Sequence, residues 1–253
     1  MSEQQLDGGN VSRVWRVGDT VRKPRAAWDI GVQALLGHLE ETGFDGAPRA
    51  LGTDECGRSI VSFITGEAPD YPMPAYVWHD DTLAAVARLL RAYHDATVGF
   101  SAPPAAGWQG RRPPGVAEVV CHNDVAPYNM VFRGGRPVAL IDFDMAAPGP
   151  RVWDAAYAAY RFVPLGVPAD DAPGEQGRRL ALFMRSYAAT FEVEELLDAV
   201  VARLAALTEF MHERAAAGEA SFARHLAEGD AEIYQRDAQY ISEQRDLVLK
   251  GFE

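Results

Sequence analysis

Carboxylate and amide side chains cluster in one stretch of the chain, residues 119–144, directly after two apolar, strand-like runs. The first run leads into His122, Asp124 and Asn129, and the second leads into Asp142. Oxygen ligands of these types suit magnesium, which keeps several waters and is usually completed by the phosphates of a substrate. This stretch therefore indicates phosphoryl transfer assisted by a metal ion.

The Gly134–Gly135 pair between the two runs predicts a two-residue β-hairpin turn, because glycine adopts positive φ angles without steric cost. With this turn, Asn129 should face Leu140 on the partner strand. Asp142 would then project from the same face, about 7–8 Å from Asn129 along the diagonal. The hairpin predicts that these two side chains can share metal ions.

The order His122-x-Asp124-x4-Asn129, followed by Asp142, resembles the catalytic and metal-binding motifs of the aminoglycoside phosphotransferase and choline kinase-like family, a branch of the protein-kinase-like fold. In protein kinases the corresponding Asp accepts the proton of the substrate hydroxyl, while the Asn and the later Asp hold two magnesium ions. The resemblance implies that Asp124 is catalytic and that Asn129 and Asp142 are metal ligands.

Several neighbouring polar residues favour structural roles. Asx side chains are common at turns and helix caps, so Asp144 is a candidate cap of the turn that follows it. We interpret His122 as a brace of the loop, His94 as a buried packing residue and Cys121 as a small buried hydrophobe. Asp154 resembles the family's aspartate that anchors the catalytic loop through backbone hydrogen bonds.

The N-terminal residues predict a nucleotide-binding region. Alternation in Val11–Lys23 predicts a hairpin about Gly18–Asp19, preceded by Gly8–Gly9. The resemblance implies that Gly8 and Gly9 form the glycine loop over the nucleotide phosphates, where backbone N–H groups approach phosphate closely. It also implies that Lys23 is the strand cation that contacts the phosphates. Arg22 is an alternative for that role, and a solvated strand end is the alternative for Lys23.

Apolar spacing predicts an amphipathic helix over Trp28–Glu41. In the family this helix often carries a glutamate that pairs with the strand lysine, but no glutamate precedes Leu39 here. Asp29 and Gln33 are the candidate substitutes. The absence of the glutamate places the positioning of the lysine in question.

A second hairpin is predicted over Gly52–Thr65, about Glu55-Cys56-Gly57. Its outgoing strand resembles the family's connection between lobes. The resemblance implies that backbone groups near Phe63 and Ile64 contact the adenine edge, and a plain edge strand is the alternative.

The C-terminal half is predicted to be mostly helical. The proline-rich segment Ser101–Gly115 is interpreted as a surface loop, although Trp108, Arg111 and Arg112 could reach the site. Tyr157, Tyr160 and Arg161 follow at helical spacing and could face either the core or an acceptor pocket. Later helices are predicted over Arg179–Phe191, Glu194–Ala217 and Ala220–Leu249.

Composition sets the wider bounds on function. The chain has 253 residues, 48% of them hydrophobic and 24% charged, which is ordinary for a globular protein. Its net charge of -12 disfavours nucleic acid and anionic membranes as partners. The polar start lacks the apolar core of a signal peptide, and no apolar run reaches the ~18 residues of a membrane span. We expect a cytoplasmic protein with Cys56 and Cys121 reduced.

The predicted fold class is α+β, in the two-lobed protein-kinase-like arrangement. A small sheet-bearing lobe, residues 1–65, would bind nucleotide, and a mostly helical lobe, residues 66–253, would carry catalysis and acceptor binding. The predicted function is ATP-dependent or GTP-dependent phosphorylation of a hydroxyl on a small molecule, such as an aminoglycoside, aminoalcohol, nucleoside or sugar, with Mg2+ as cofactor. The acidic C-terminal helices are compatible with a cationic acceptor, and a solvated acidic face is the alternative.

Two other functions remain open at this point. One is a nucleotide-binding pseudokinase with a regulatory or scaffold role, which the missing helix glutamate and the short glycine loop favour. The other is a metal-dependent hydrolase built from the same carboxylates, which would release phosphate without an acceptor.

Overall fold

An antiparallel sheet forms the N-terminal part of the protein. The computed structural model describes residues 3–6, 14–167 and 172–252. The sheet has the strand order β1-β2-β3-β5-β4. Both predicted hairpins are confirmed, and Gly18 and Gly57 adopt positive φ in their turns (60° and 77°). The strands are Glu3–Leu6 (β1), Val14–Val17 (β2), Thr20–Pro24 (β3), Ala50–Thr53 (β4) and Arg58–Ser62 (β5).

The predicted first helix is confirmed as α1, Asp29–Glu41. It follows β3 and buries one apolar face, on which Leu35, Leu36 and Leu39 are almost completely inaccessible to solvent. Each such side chain contributes about 1.5–3 kcal/mol through burial. The helix is thereby fixed relative to the sheet that carries Lys23.

The segment after β5 connects the sheet to the helical part. Glu67 forms an isolated antiparallel bridge with Phe132, in which each backbone N–H donates to the other residue's carbonyl. At Gly66 a Cβ atom would lie 2.6 Å from the Phe132 carbonyl oxygen, and φ is 154°. The close approach therefore requires glycine.

Helices and two short strand pairs build the rest of the described chain. The strand pairs are β6 with β9 and β7 with β8, both antiparallel. Their strands are Val119–Cys121 (β6), Met130–Arg133 (β7), Arg136–Leu140 (β8) and Ala147–Gly149 (β9). The further helices are Asp80–Thr97 (α2), Arg151–Phe162 (α3), Pro173–Tyr187 (α4), Val193–Ala216 (α5), Ala220–Ala227 (α6) and Asp230–Phe252 (α7).

Two of the predicted late helices differ from the structure. The helix predicted over Ala220–Leu249 is wrong as one element, because Gly229 at φ 88° separates α6 from α7. The helix predicted to begin at Arg179 begins at Pro173, since proline is favourable in the first turn, where its missing N–H has no partner to lose. That helix ends at Tyr187, and Ala188 follows with φ 55°.

The β7–β8 hairpin has the predicted turn but a different register. Gly134 and Gly135 adopt φ 57° and 75°, as the turn requires. Pairing then shifts by one residue, so that Leu140 faces Met130 and the predicted pairing with Asn129 is wrong. The irregularity follows Pro137, which has no backbone N–H to donate to the ladder.

The remaining predictions on exposure and membrane spans have simple outcomes. Cys121 is buried, as predicted, and Cys56 is exposed. In the part of the chain that the structure describes, no helix is both long and apolar enough to cross a membrane.

Candidate active site

Asp154 of α3 holds the loop that carries Asp124. Its side chain is fully buried and accepts hydrogen bonds from the backbone N–H groups of His122 (2.7 Å) and Asn123 (2.8 Å). His94 Nε2 donates a third, at 3.0 Å. Burial alone would raise the pKa of Asp154, but the hydrogen bond and charge of His94 and the His122 contacts lower it below its usual value. The predicted anchoring role of Asp154 and the buried position of His94 are confirmed.

Asn123 shapes the loop immediately before Asp124. Its backbone is left-handed, at φ 64°, and its Nδ2 donates to the Met145 carbonyl at 3.0 Å. Its own carbonyl accepts a 2.6 Å hydrogen bond from Arg203 Nη2 of α5. The buried Arg203 guanidinium also lies 4.9 Å from the Tyr157 ring centre. Arg203 was missed in the sequence, although an arginine on the apolar face of a helix, beside Leu204, was a signal of a buried polar role.

His122 joins the two halves of the site, as the predicted brace. Its Nε2 lies 3.0 Å from the Ile141 carbonyl, and a carbonyl accepts, so Nε2 carries the proton. Nδ1 then accepts from the Asp124 backbone N–H at 3.3 Å. The loop is thereby tied to the end of β8, next to Asp142.

Asn129 orients the carboxylate of Asp124. Its Nδ2 donates to Asp124 Oδ2 at 2.7 Å and to the Asp124 carbonyl at 3.1 Å. Its backbone carbonyl accepts from the Ile141 N–H at 3.0 Å, one residue before Asp142. The structure therefore brings these residues together even though the strand register differs from the prediction. The Asn129 side-chain oxygen stays available for a metal ion.

Lys23, on β3, reaches the carboxylates at the end of β8. Its Nζ is hydrogen-bonded to Asp144 and lies 4.0 Å from Asp142 Oδ1. Burial would lower the pKa of Lys23, but the charges of Asp144 and Asp142 raise it, so the ammonium stays protonated. The turn that follows Asp142 has no side-chain cap. The interpretation of Asp144 as a cap is wrong, because this carboxylate is the ion-pair partner of Lys23.

Asp144 also supplies the carboxylate that the first helix lacks. Asp29 accepts a 3.1 Å hydrogen bond from the Ala26 N–H at the start of α1. Gln33 Nε2 donates to Ser59 Oγ of β5 at 2.9 Å. Neither candidate substitute pairs directly with Lys23, and Asp144 does so instead.

The alternative strand cation, Arg22, points to another part of the small sheet. Its Nη1 lies 3.3 Å from Asp54 Oδ2, in the β4–β5 turn. Lys23 pairs with Ser59 of β5 within the sheet, and its side chain extends to Asp144. Lys23 is therefore the cation of β3 that reaches the site.

The residues predicted to meet the nucleotide have different outcomes. The Phe63 N–H donates to the Asp19 carbonyl at 2.8 Å, so this donor is not free for adenine. The Arg16 guanidinium lies 3.7 Å from the centre of the Phe63 ring. Among the described residues, no hydrogen bond uses the Ile64 backbone. Gly8–Gly9 lies outside the described residues.

The donor set at the end of the hairpin fits magnesium. In residues 3–6, 14–167 and 172–252, no group of three or more His, Cys, Asp and Glu side chains could hold a metal unaided. Asn129 and Asp142 offer hard oxygens, and magnesium takes its other ligands from water and substrate phosphates. Asp142 is 57% exposed to the cleft, yet the protein atoms around it, and then Asp144, raise its pKa. A divalent cation would relieve this repulsion.

Aromatic side chains continue from Asp124 into the helical part. We call Tyr128, Tyr157, Tyr160 and Tyr234 the tyrosine cluster. Neighbouring rings lie 6.1 Å apart for Tyr157 and Tyr160, and 6.2 Å apart for Tyr160 and Tyr234. Burial, and also the Asp124 carboxylate, raises the pKa of Tyr128, Tyr157 and Tyr234. The hydroxyls of these three tyrosines are therefore neutral, and Tyr128 lies on the same 3₁₀ turn as Asn129, which bonds to Asp124.

The proline-rich segment is a largely exposed loop, as expected, but its Gly110 packs against the site. A Cβ atom at Gly110 would lie 3.1 Å from Asn123 Nδ2 and even closer to the Met145 carbonyl. Arg111 forms an ion pair with Glu213 of α5, at 2.5 Å. The contacts of this segment with the two loops of the site join residues that are far apart in the sequence. The composition of the segment alone therefore did not indicate them.

Comparisons with known proteins identify a family, a relative and solved structures that the chain resembles. Residues 67–190 match the model of a family described as the phosphotransferase enzyme family. A trifolitoxin immunity protein from Rhizobium leguminosarum bv. trifolii is 39% identical over 148 residues, which make up 56% of this chain and 55% of that protein. The match thus spans about half the length of this relative.

Solved structures resemble the chain over nearly its whole length. The choline kinase LicA from Streptococcus pneumoniae gives a TM-score of 0.61 at 16% identity, covering 96% of this chain and 94% of that one. The streptomycin-ATP-APH(2")-IIa ternary complex gives 0.54 at 15% identity, covering 95% and 93%. At these identities the likeness shows the fold alone. The predicted two-lobed, kinase-like α+β fold is confirmed.

Proposed function

We propose that the chain, whose residues 67–190 match the model of the phosphotransferase enzyme family, transfers the terminal phosphoryl group of ATP or GTP to a hydroxyl of a small molecule. One observation carries the proposal. The Asp124 carboxylate is oriented by Asn129 and lies at the end of a hairpin whose other strand presents Asp142 and the Lys23–Asp144 ion pair. A hydroxyl base and a phosphate-binding cation are thus held on one side of the cleft.

Each residue has a defined task in the proposed reaction. Asp124 orients the acceptor hydroxyl and accepts its proton, while Lys23 steadies the phosphates. Asn129 and Asp142 would hold magnesium, which supplies charge neutralisation on the phosphates when bound. Such a reaction asks the protein mainly for positioning and charge stabilisation, because the transition state is loose.

The division of labour between the lobes is part of the proposal. Residues 1–65 would bind the nucleotide, and residues 66–253 would carry catalysis and the acceptor. The unbonded backbone of Ile64 supports adenine binding at the connection, whereas Phe63 is proposed to contribute its ring and not its N–H. Gly8–Gly9 is proposed as the loop over the phosphates.

The pseudokinase alternative has lost one of its supports. It drew on the missing glutamate of α1, which left Lys23 without a carboxylate partner. Since Asp144 pairs with Lys23, the lysine is positioned without that glutamate. Turnover is therefore the favoured function, with nucleotide-dependent scaffolding as the alternative outcome of the experiment below.

The immunity protein supports a second candidate acceptor. That relative is named for immunity to trifolitoxin and is 39% identical over the matched segment. A hydroxyl on a toxin is therefore a candidate target, and phosphorylation would be the means of protection. Incubation of the purified protein with magnesium, ATP and the toxin should add about 80 Da to the toxin by mass spectrometry. An unmodified toxin would exclude this candidate.

The experiment for the main proposal is replacement of the base. Asp124→Ala should lower acceptor-dependent ADP formation by about 10²–10⁴-fold, the usual contribution of general-base catalysis. Nucleotide affinity, measured by calorimetry with magnesium, should stay within a few fold, because Asp124 contacts the acceptor. Asp246→Ala, on the exposed face of α7, is the matched control and should change neither quantity.

Two results would contradict the proposal. A wild-type protein that binds no nucleotide at millimolar magnesium would exclude phosphoryl transfer. Tight nucleotide binding without transfer to any acceptor, unaffected by Asp124→Ala, would support the scaffold alternative.

A further inference from the structure

Arg161 of α3 lies against the tyrosine cluster. Its guanidinium carbon is 5.4 Å from the centre of the Tyr128 ring and 5.9 Å from that of Tyr160. Nη2 donates to the Tyr71 hydroxyl at 2.6 Å. Among the described residues, no carboxylate lies within ion-pair distance of Arg161. A guanidinium has five N–H donors, so most of them have no partner in the described part of the chain and remain for a bound group.

This arrangement differs from that of two other arginines in the helical part. Arg151 pairs with Asp95 at 2.8 Å, and Arg179 pairs with Asp80 at 2.9 Å. The whole chain has a net charge of -12, so carboxylates are abundant. Arg161 is half-buried beside the candidate active site and has no carboxylate partner within residues 3–6, 14–167 and 172–252, which indicates a place for an external anion.

The neighbouring residues set the distance between this cation and the reacting centre. Tyr128 follows Asp124 on the short 3₁₀ turn Pro127–Asn129, and its ring faces Arg161. Asn129, the residue after Tyr128, donates to the Asp124 carboxylate at 2.7 Å, so the backbone at Tyr128 lies close to Asp124. One small molecule can therefore span from the carboxylate to the guanidinium along the tyrosine rings.

We infer that the acceptor is an anionic alcohol, whose hydroxyl meets Asp124 and whose carboxylate or phosphate group binds Arg161. The inference rests on the proposed function and names the class of its substrate. A guanidinium binds both anions through two parallel hydrogen bonds. A cationic acceptor would be disfavoured, since a positive charge about 6 Å from the guanidinium loses on the order of 100-fold in affinity at the dielectric constant typical of protein surfaces.

The test uses two sets of related polyols whose members carry an anionic, a neutral or a cationic group. Gluconate, glucose 6-phosphate, glucose and glucosamine form one set, and glycerate, glycerol 3-phosphate, glycerol and 3-amino-1,2-propanediol form a shorter one. Binding to the protein saturated with magnesium and ADP is measured by ligand-detected NMR, and turnover with ATP by ADP release. The anionic members of at least one set should bind best. Comparison of the carboxylate with the phosphate compound then shows which anion Arg161 prefers.

Arg161 variants connect the preference to this side chain. Arg161→Gln should weaken binding of the preferred anion by about 10–100-fold, the range for a lost hydrogen bond to a charged group. Arg161→Lys should retain part of the affinity, because it keeps the charge without the paired donors. Arg88→Gln, which removes a charge from the exposed face of α2, should have no effect. Thermal unfolding confirms that each variant is folded.

The outcomes separate this inference from the proposed function. Equal or better binding of neutral or amino compounds, no binding of any anionic member, or an unchanged affinity in Arg161→Gln would overturn the anionic acceptor. Transfer to a cationic acceptor alone would also overturn it while upholding phosphoryl transfer. Failure to bind the magnesium nucleotide at all would instead count against the proposed function.

Discussion

Replacing Asp154 by Asn should destabilise the protein and misplace the loop that carries Asp124. The carboxylate accepts three buried hydrogen bonds, from the His122 and Asn123 amides and from His94. An asparagine offers one acceptor oxygen, so its amide group must face a donor. Loss of hydrogen bonds to a buried charge costs about 1.5–3 kcal/mol each, and the uncompensated donors add to this. We expect the free energy of unfolding to fall by about 3–5 kcal/mol.

The size of this effect should depend on pH in a defined direction. The pKa of Asp154 is lower in the folded protein than its usual value. The carboxylate therefore stabilises the fold fully above its unfolded pKa, about 3.9, and the contribution is lost as the pH falls through the folded value. The stability difference between wild type and Asp154→Asn should be constant near pH 7 and should narrow below about pH 4.

Urea unfolding at several pH values measures the stability, and steady-state kinetics measure the site. The kcat for acceptor phosphorylation should fall much more than the KM for nucleotide rises, because the loop contacts the acceptor side. Tyr187→Phe is the matched control, since it removes only the hydroxyl that bonds to His94 Nδ1 at 2.6 Å. It should cost about 1 kcal/mol. A stability difference that does not change with pH, or a similar loss in both variants, would refute the reasoning.

Three further predictions address the other parts of the site. Asp144→Asn should lower the free energy of unfolding by about 1–3 kcal/mol, since the half-buried Lys23 loses its partner; an equal loss in a protein already carrying Lys23→Met would show that the pair is not coupled. One residue inserted between Gly134 and Gly135 should weaken magnesium-dependent nucleotide binding at least about tenfold, whereas Gly135→Asn should bind nucleotide almost as wild type does, because Asn tolerates positive φ. Equal nucleotide affinities of the two variants would contradict this. Arg203→Met should lower kcat about tenfold or more with little change in KM, because the carbonyl of Asn123 loses its buried donor; unchanged kcat would exclude a positioning role.

The hairpin shows what local sequence could and could not predict. The Gly134–Gly135 turn was predictable because its backbone angles favour glycine. The one-residue register shift was not, since it depends on Pro137 and on the bridge that Phe132 forms with Glu67, far away in the sequence. The proximity of Asn129 to Asp124 survived the shift, because a side-chain hydrogen bond fixes it.

The charged contacts of the site lie further beyond local signals. Lys23 and Asp144 pair across 121 positions of the chain. The sequence indicated that Lys23 needed a carboxylate, but helix spacing directed attention to Asp29, which is used at the start of its own helix. Arg161 had two open interpretations, core or pocket, and only the packed tyrosines around it distinguish them. The partner of Lys23 and the surroundings of Arg161 depend on tertiary packing, which sequence periodicity does not reveal.

The proline-rich segment contacts both lobes at once. A Cβ atom at Gly31, in α1, would lie 2.9 Å from the Gly107 carbonyl, and one at Gly110 would lie still closer to the carbonyl of Met145, just after the aspartate that is proposed to bind metal. Nothing larger than a hydrogen fits at either glycine without a shift of its neighbours. The segment therefore links α1 to the loop after Asp142 through two contacts that leave no room for a side chain.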